Sequence, residues 1–156
     1  MANEMSPAQA QAVEDLKAKC LEWLADIAGN YQVDNVTDAY VRLGSARVNV
    51  RFVPFGEEQT LVVIFSYVLW EVPKTPELVE HVAFHSSDTY FGSLQLLQDP
   101  DDGEKVTVRL DHSLLGDYID YAEFKEGVLS IASIADDLDT DLQRRFGGST
   151  QYEDGS

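Results

Sequence analysis

The sequence predicts an α+β domain, a two-layer α/β architecture with a five-stranded antiparallel sheet in the order helix, three strands, helix, two strands, helix. Three observations lead there. Apolar residues recur at three- and four-residue spacing towards both ends of the chain, β-branched and aromatic runs fill the middle, and short clusters of Gly, Pro, Asp and Ser separate the runs. A chain of 156 residues fits one domain, with a core large enough to need no metal or disulfide. We expect that domain over residues 1–148, followed by a small, polar, acidic tail, disordered over 149–156.

The first helix is expected over residues 7–28, with Ser6 as N-cap, Pro7 in the first turn and Gly29-Asn30 as a left-handed stop. Its apolar residues Val13, Leu16, Cys20, Leu21, Trp23, Leu24 and Ile27 cover about 160° at 100° per residue, more than the roughly 100° needed to dock on a core. Part of that stripe, around Leu21 and Trp23, could therefore remain for a partner. Ala39–Leu43 and Ala46–Phe55 flank Gly44-Ser45 as a hairpin. In its second strand Val48, Val50 and Phe52 alternate with Arg47, Asn49 and Arg51, one dry face and one wet.

Residues 61–72, Leu-Val-Val-Ile-Phe-Ser-Tyr-Val-Leu-Trp-Glu-Val, form the most apolar stretch and read as the central strand. Val63, Phe65, Tyr67 and Leu69 point one way, Val62, Ile64, Val68 and Trp70 the other, so both faces need cover. Thr75-Pro76-Glu77 opens a short helix running to about Ser87. Tyr90–Leu97 and Glu104–His112 form a second hairpin around the Asp- and Gly-rich loop 98–103. Asp120 with Glu123 makes a capping box for the last helix, residues 121–146, which ends at Gly147-Gly148.

The net charge is −17, from 28 acids and 11 bases, so the surface repels phosphate backbones and attracts basic protein segments. Direct nucleic-acid binding is not expected. Cys20 is the single cysteine, and no apolar run with a basic flank precedes the first helix, which favours a cytoplasmic protein outside the membrane.

Chemistry-bearing motifs are sparse. His81 and His85, with Glu77 a turn earlier, have the spacing to share a metal, but the glutamate of an HExxH helix is missing, and solvated side chains on a short helix explain them better. Asp99, Asp101 and Asp102, like Asp137, Asp139 and Asp141, lack the glycine a calcium loop requires at its sixth position. Cys20 lies mid-stripe and reads as a small buried hydrophobe. No phosphate cradle or nucleophile elbow occurs, so neither an enzyme nor a cofactor is expected.

Arg47 and Arg51 share the wet parity of one strand, as Arg109 does of another. If both strands flank the central one, the three arginines border its uncovered face, unless they pair locally with Glu71 or Asp111.

The element order, the acidity and the stretches Ser93-Leu94-Gln95-Leu96-Leu97, Val106-Thr107-Val108-Arg109-Leu110, Ile134-Ala135-Asp136-Asp137-Leu138 and Arg144-Arg145-Phe146-Gly147-Gly148 resemble the YbjN-like family, which shares the fold of the class I type III secretion chaperones. The resemblance implies strand order 1-2-3-5-4, with residues 61–72 at the centre, and homodimers that hold peptide segments of a client. It implies no catalytic residues, and YbjN-like proteins are often called bacterial regulators.

The expected function is thus a non-enzymatic, chaperone- or adaptor-like module, a homodimer holding a protein or peptide client with basic segments. The alternative is a regulatory partner of a folded basic protein, such as a nucleic-acid-binding protein. The surface expected to carry this consists of Val62, Ile64, Val68 and Trp70, bordered by Arg47, Arg51 and Arg109, together with Leu21 and Trp23. Neither a small-molecule substrate nor a membrane is expected as partner.

Overall fold

The computed structural model describes residues 4–34 and 37–150. Its elements are α1 (Pro7–Ala28), β1 (Ala39–Leu43), β2 (Ala46–Phe55), β3 (Gln59–Pro73), α2 (Pro76–His85), β4 (Ser93–Gln98), β5 (Lys105–Leu115) and α3 (Tyr121–Phe146), in the order the sequence predicts. Each helix starts where a side-chain oxygen can accept an otherwise unpaired N–H. Ser6 accepts from Gln9 at 3.1 Å, Thr75 from Leu78 at 3.2 Å and Asp120 from Glu123 at 2.8 Å. Such a cap is worth about 1 kcal/mol.

Several boundaries differ from expectation, β3 among them, which spans Gln59–Pro73 and not 61–72. α2 ends at His85, not Ser87. β4 begins at Ser93, not Tyr90, because Gly92 turns the chain at φ 80°, where a Cβ would also lie 2.8 Å from Ile131. β5 continues past His112 to Leu115, which pairs with Leu61.

The strands form one antiparallel sheet in the order β1-β2-β3-β5-β4, the order the resemblance implied. Both α1 and α3 pack on the same face. Leu16, Cys20 and Leu24 of α1, with Phe124, Val128, Ile131, Ala135 and Leu142 of α3, bury Val48 and Val50 of β2, Val62, Ile64 and Leu69 of β3, and Val106, Val108 and Leu110 of β5. Gly127 lets α3 come close, since a Cβ there would stand 2.9 Å from Ile64 Cδ1. Burial pushes the Cys20 thiol up to about 12, in keeping with a small core hydrophobe. Among the described residues no helix is long and apolar enough to cross a membrane.

The choice of face corrects the sequence expectation. Val62 and Ile64 are fully buried and Val68 nearly so, hence these three lie in the core and not on the uncovered face. The period-two argument fails beyond Tyr67, because the β3–β5 register shifts between Tyr67 and Leu69 and again between Leu69 and Val72. Val68 and Leu69 consequently both enter the core, while Trp70 swings to the side of Tyr67, its ring 4.3 Å away. Glu71 lies in the same irregular stretch with φ 52°. The wide stripe of α1 is used up within the domain as well. Trp23 meets Tyr121 and Phe124 of α3 at 6.0 and 5.9 Å, and Leu21 packs on the core.

Short backbone pairs sit on the outer strands and on the protruding end of β3. Gln32 exchanges two hydrogen bonds of 2.9 Å with Tyr40 of β1, and Leu94 of β4 donates to Ser86 at 3.0 Å. After α3 the chain returns to β3, where Ser149 and Trp70 exchange bonds of 2.8 and 2.9 Å. Ser149, expected in a disordered tail, is thus held. Residues 151–156 of that expected tail lie outside the described residues. The β1–β2 turn, at the end of β2 nearest the close of β3, is tied to α3, with Ser45 N–H donating to Asp136 at 3.0 Å and its hydroxyl to Asp139 at 2.7 Å. The hydroxyl and N–H of Ser45 hold the Asp136 carboxyl below its ordinary range.

Candidate functional site

The sheet face opposite α1 and α3 is assembled from alternate residues of β2, β3 and β5. Val53, Leu61 and Leu115 stand side by side in register, followed by Arg51 beside Val63, then Asn49, Phe65 and Asp111, then Tyr67 beside Arg109. The face has two halves. At the end where β2 turns into β3 it is apolar, with Val53, Leu61 and Val63 half-buried and Phe55 and Leu115 over 40 % exposed, at 46 % and 41 %.

The other half joins arginine to aromatic rings. The guanidinium of Arg51 lies 5.5 Å from the Phe65 ring centre and that of Arg109 lies 5.1 Å from it. Tyr67 meets Phe65 edge-on at 5.6 Å, and Trp70 extends the row. Phe65 is only 1 % exposed although it stands outside the helix-side core, so its cover comes from this surface layer. Cation–π contacts of this kind are worth about 0.5–1 kcal/mol when exposed and about 2 kcal/mol when dry.

Carboxylates orient the arginines. Arg109 donates twice to Asp111, from Nε at 2.6 Å and Nη2 at 2.8 Å, the geometry that suits a planar fork. Burial alone would lower the Arg109 pKa, but the hydrogen bond and charge of Asp111 outweigh it and raise it. Arg47 stacks 3.5 Å over Tyr40, pairs with Asp34 and donates to Asn49 at 3.0 Å. Arg42, opposite Arg47 in the β1–β2 register, extends the basic strip.

The structure therefore brings together Arg47, Arg51, Arg109 and Trp70 of the expected surface, while Val62, Ile64, Val68, Leu21 and Trp23 serve the interior. Leu61, Val63, Phe65 and Tyr67, the other parity of the central strand, take their place. That parity could have been found from the arginines: the tight Gly56 turn sets Phe55 opposite Gln59, which puts Arg51 opposite Val63.

Away from this face the three histidines lie in two separate places. His112 lies on the helix side beside Phe91, its pKa lowered by burial. On α2 the rings of His81 and His85 lie 4.8 Å apart, with Arg145 and His81 Nδ1 3.3 Å apart and Asp88 2.7 Å from His85. Burial and then the charge of Arg145 lower the His81 pKa. Among the described residues no group of three or more His, Cys, Asp or Glu is placed to hold a metal ion.

Three comparisons with known proteins bear on this arrangement. No curated protein matches the chain. The fold is similar to the crystal structure of YbjN from E. coli, described as a candidate transcription regulator, with a TM-score of 0.60 at 10% sequence identity over 85% of this chain and 96% of that one. A likeness at such low identity concerns the fold alone. The sequence profile described as "T3SS (YopN, CesT) and YbjN peptide-binding chaperone 1" matches residues 14–154. With nearly the whole chain matched, this protein belongs to that family of peptide-binding chaperones.

Proposed function

We propose that the chain is a non-enzymatic, chaperone- or adaptor-like protein of the cytoplasm that works as a homodimer and holds an extended segment of a protein client on its open sheet face. One observation carries the reading: helices cover a single face of the five-stranded sheet, and the other presents Val53, Leu61, Val63 and Leu115 in register beside the arginine–aromatic half. Apolar residues aligned across neighbouring strands give a flat, continuous strip; full burial of such a side chain contributes roughly 1.5–3 kcal/mol, and these four, three of them already half-buried, keep a part of that for a partner. The acid-rich remainder of the surface steers basic segments of the client towards this strip.

Leu61→Asp tests the reading, because it places a charge on the apolar half without touching the helix-side core. Light scattering at micromolar concentration should report about twice 17.4 kDa for the native chain and a monomer for the variant. Affinity for a client peptide selected from an array should fall at least about tenfold, as the loss of one well-placed apolar contact predicts. A native monomer, or a variant that binds its peptide undiminished, overturns the assignment. Capture of a folded basic protein with no binding of any peptide would favour a regulatory partner role.

A further inference from the structure

We infer that the outer face of α2 is a docking site for a basic segment of a partner protein. An apolar side chain of that segment sits between α2 and the loop joining β4 to β5, and an arginine or lysine lies over Phe84. The inference goes beyond the open sheet face, since it concerns a different surface and stands whether or not that face holds a client.

The shape follows from how α2 is launched. Pro73 closes β3 and Pro76 opens the helix, while Lys74 N–H donates to the Glu104 carbonyl at 2.8 Å and so holds the β4–β5 loop beside the start of α2. Between helix and loop lies a hollow of about 870 Å³, walled by Pro73, Pro76, Val79, Phe84 and Gly103. Its two prolines have no N–H to leave unpaired and a fixed φ, so this wall is apolar in its backbone and rigid. Leu78 and Val82 are the buried residues of the helix, whereas Val79 is 42 % and Phe84 76 % exposed. One exposed apolar side chain is ordinary, but two large ones at the mouth of one hollow form a patch.

Charge selects the occupant. Glu80 stands four residues before Phe84, on the same side of the helix, and the two also line a second hollow of about 490 Å³ together with Glu77. Acid and ring thus form a ridge with a hollow on either side. The carboxylates of Glu77, Glu80 and Glu104 make no ion pair or side-chain hydrogen bond among the described residues, and Lys74, the single base at the larger hollow, makes none either. Three acids less one base leave −2, and Arg145, next to His81, is compensated by Asp141 at 3.6 Å. On the open face, by contrast, Asp34 and Asp111 are already paired with arginines. No cation of the described residues lies over the Phe84 ring. An arginine or lysine laid there gains a cation–π contact and an ion pair at once. In a twofold contact of this face with itself, the same carboxylates would confront one another, whereas a basic segment meets them with opposite charge.

The probe is a labelled peptide, Gly-Arg-Leu-Arg-Leu-Arg-Gly, titrated with the full chain at about 50 mM salt, where exposed charges are least screened. It should bind with a Kd below about 1 mM, and at least about tenfold more tightly than the same peptide with glutamate in place of arginine. Glu80→Lys combined with Glu104→Lys should weaken it at least about tenfold, and Phe84→Ser at least about threefold. The matched control is Glu57→Lys with Glu58→Lys, equally exposed and with the same change in net charge, which should weaken it less than about twofold. All these positions are exposed, so the variants should remain folded. Equal weakening by the two charge reversals would mean that the whole acidic surface attracts the peptide, and overturns the proposal. So does undiminished binding to Phe84→Ser, or no binding to the native chain. Leu61→Asp should bind the probe within about twofold of native; loss of binding there places the probe on the open face and overturns docking at α2. A fall in the light-scattering mass of Phe84→Ser assigns this face to a second copy and likewise rejects a basic partner. The open-face reading can fail on its own measurements while α2 still binds the peptide, and the reverse.

Discussion

The two faces of one sheet solve the same burial problem in opposite ways. On the helix side, Val62, Ile64, Leu69, Val106 and Val108 disappear under α1 and α3, interlocked closely enough that Gly127 has no room for a side chain. On the open side, Phe65 is covered almost as completely, yet by arginine side chains and neighbouring aromatics. Interlocked apolar packing stabilises a fold and commits its surface permanently. A layer of guanidinium groups over rings excludes water from the ring faces while remaining exchangeable with a ligand. The stability of this domain should therefore be concentrated on one face and its recognition on the other.

The largest expected contrast compares neighbours on β3. Ile64→Ala should lower unfolding stability by about 2–5 kcal/mol, the usual cost of truncating a fully buried aliphatic side chain. Leu61→Ala, half-buried on the open face, should cost well under half of that. Urea midpoints with unchanged slopes measure both, and equal losses would break the division between the faces.

A smaller effect belongs to acid. Burial lowers the His112 pKa from 6.5, so the unfolded chain takes up the proton first as pH falls. The stability linked to this group is complete above pH 6.5 and declines below it, and His81 titrates with the same sign. The melting temperature should fall between about pH 7.5 and 5.5, and by less in His112→Gln; an identical slope in the variant would show that burial of His112 does not set it.

The smallest concerns Ser66, whose hydroxyl is buried on the helix side with no hydrogen-bond partner among the described residues. Ser66→Ala removes an unsatisfied group from an apolar layer and should be neutral or stabilising by up to about 1 kcal/mol, read from the same urea midpoints.

Most of this architecture was legible because the chain marks it with local signals. Ser6, Thr75 and Asp120 announce three helices, and Gly44-Ser45 and Gly56 announce turns that fix the hairpin registers. The element order followed, and so did the sharing of one wet face by Arg47, Arg51 and Arg109. What strict alternation could not supply was the outcome at residues 68–72. There β3 slips twice against β5, and the slips are set by pairing with residues far along the chain, Val108 and Val106, not by anything local. Trp70 consequently reached the expected open face from the wrong parity, while Val62 and Ile64, assigned by the same rule, went to the core. The stripe of α1 was misjudged for a related reason: its width was read as surplus, when α3 claims the extra through Tyr121 and Phe124.

The three short backbone pairs on the sheet margins bear on colloidal behaviour. A strand margin with free N–H and C=O groups is a template on which a second molecule can add a strand, and growth of that kind ends in aggregates. Here Gln32 occupies part of the β1 margin, Ser86 takes a donor of β4, and Ser149 covers β3 at Trp70 beside its most apolar stretch. With these positions blunted, addition of a second molecule through the backbone is hindered there. On the proposed reading, contacts between molecules would then fall to side chains of the open face, where charge and shape can discriminate among partners.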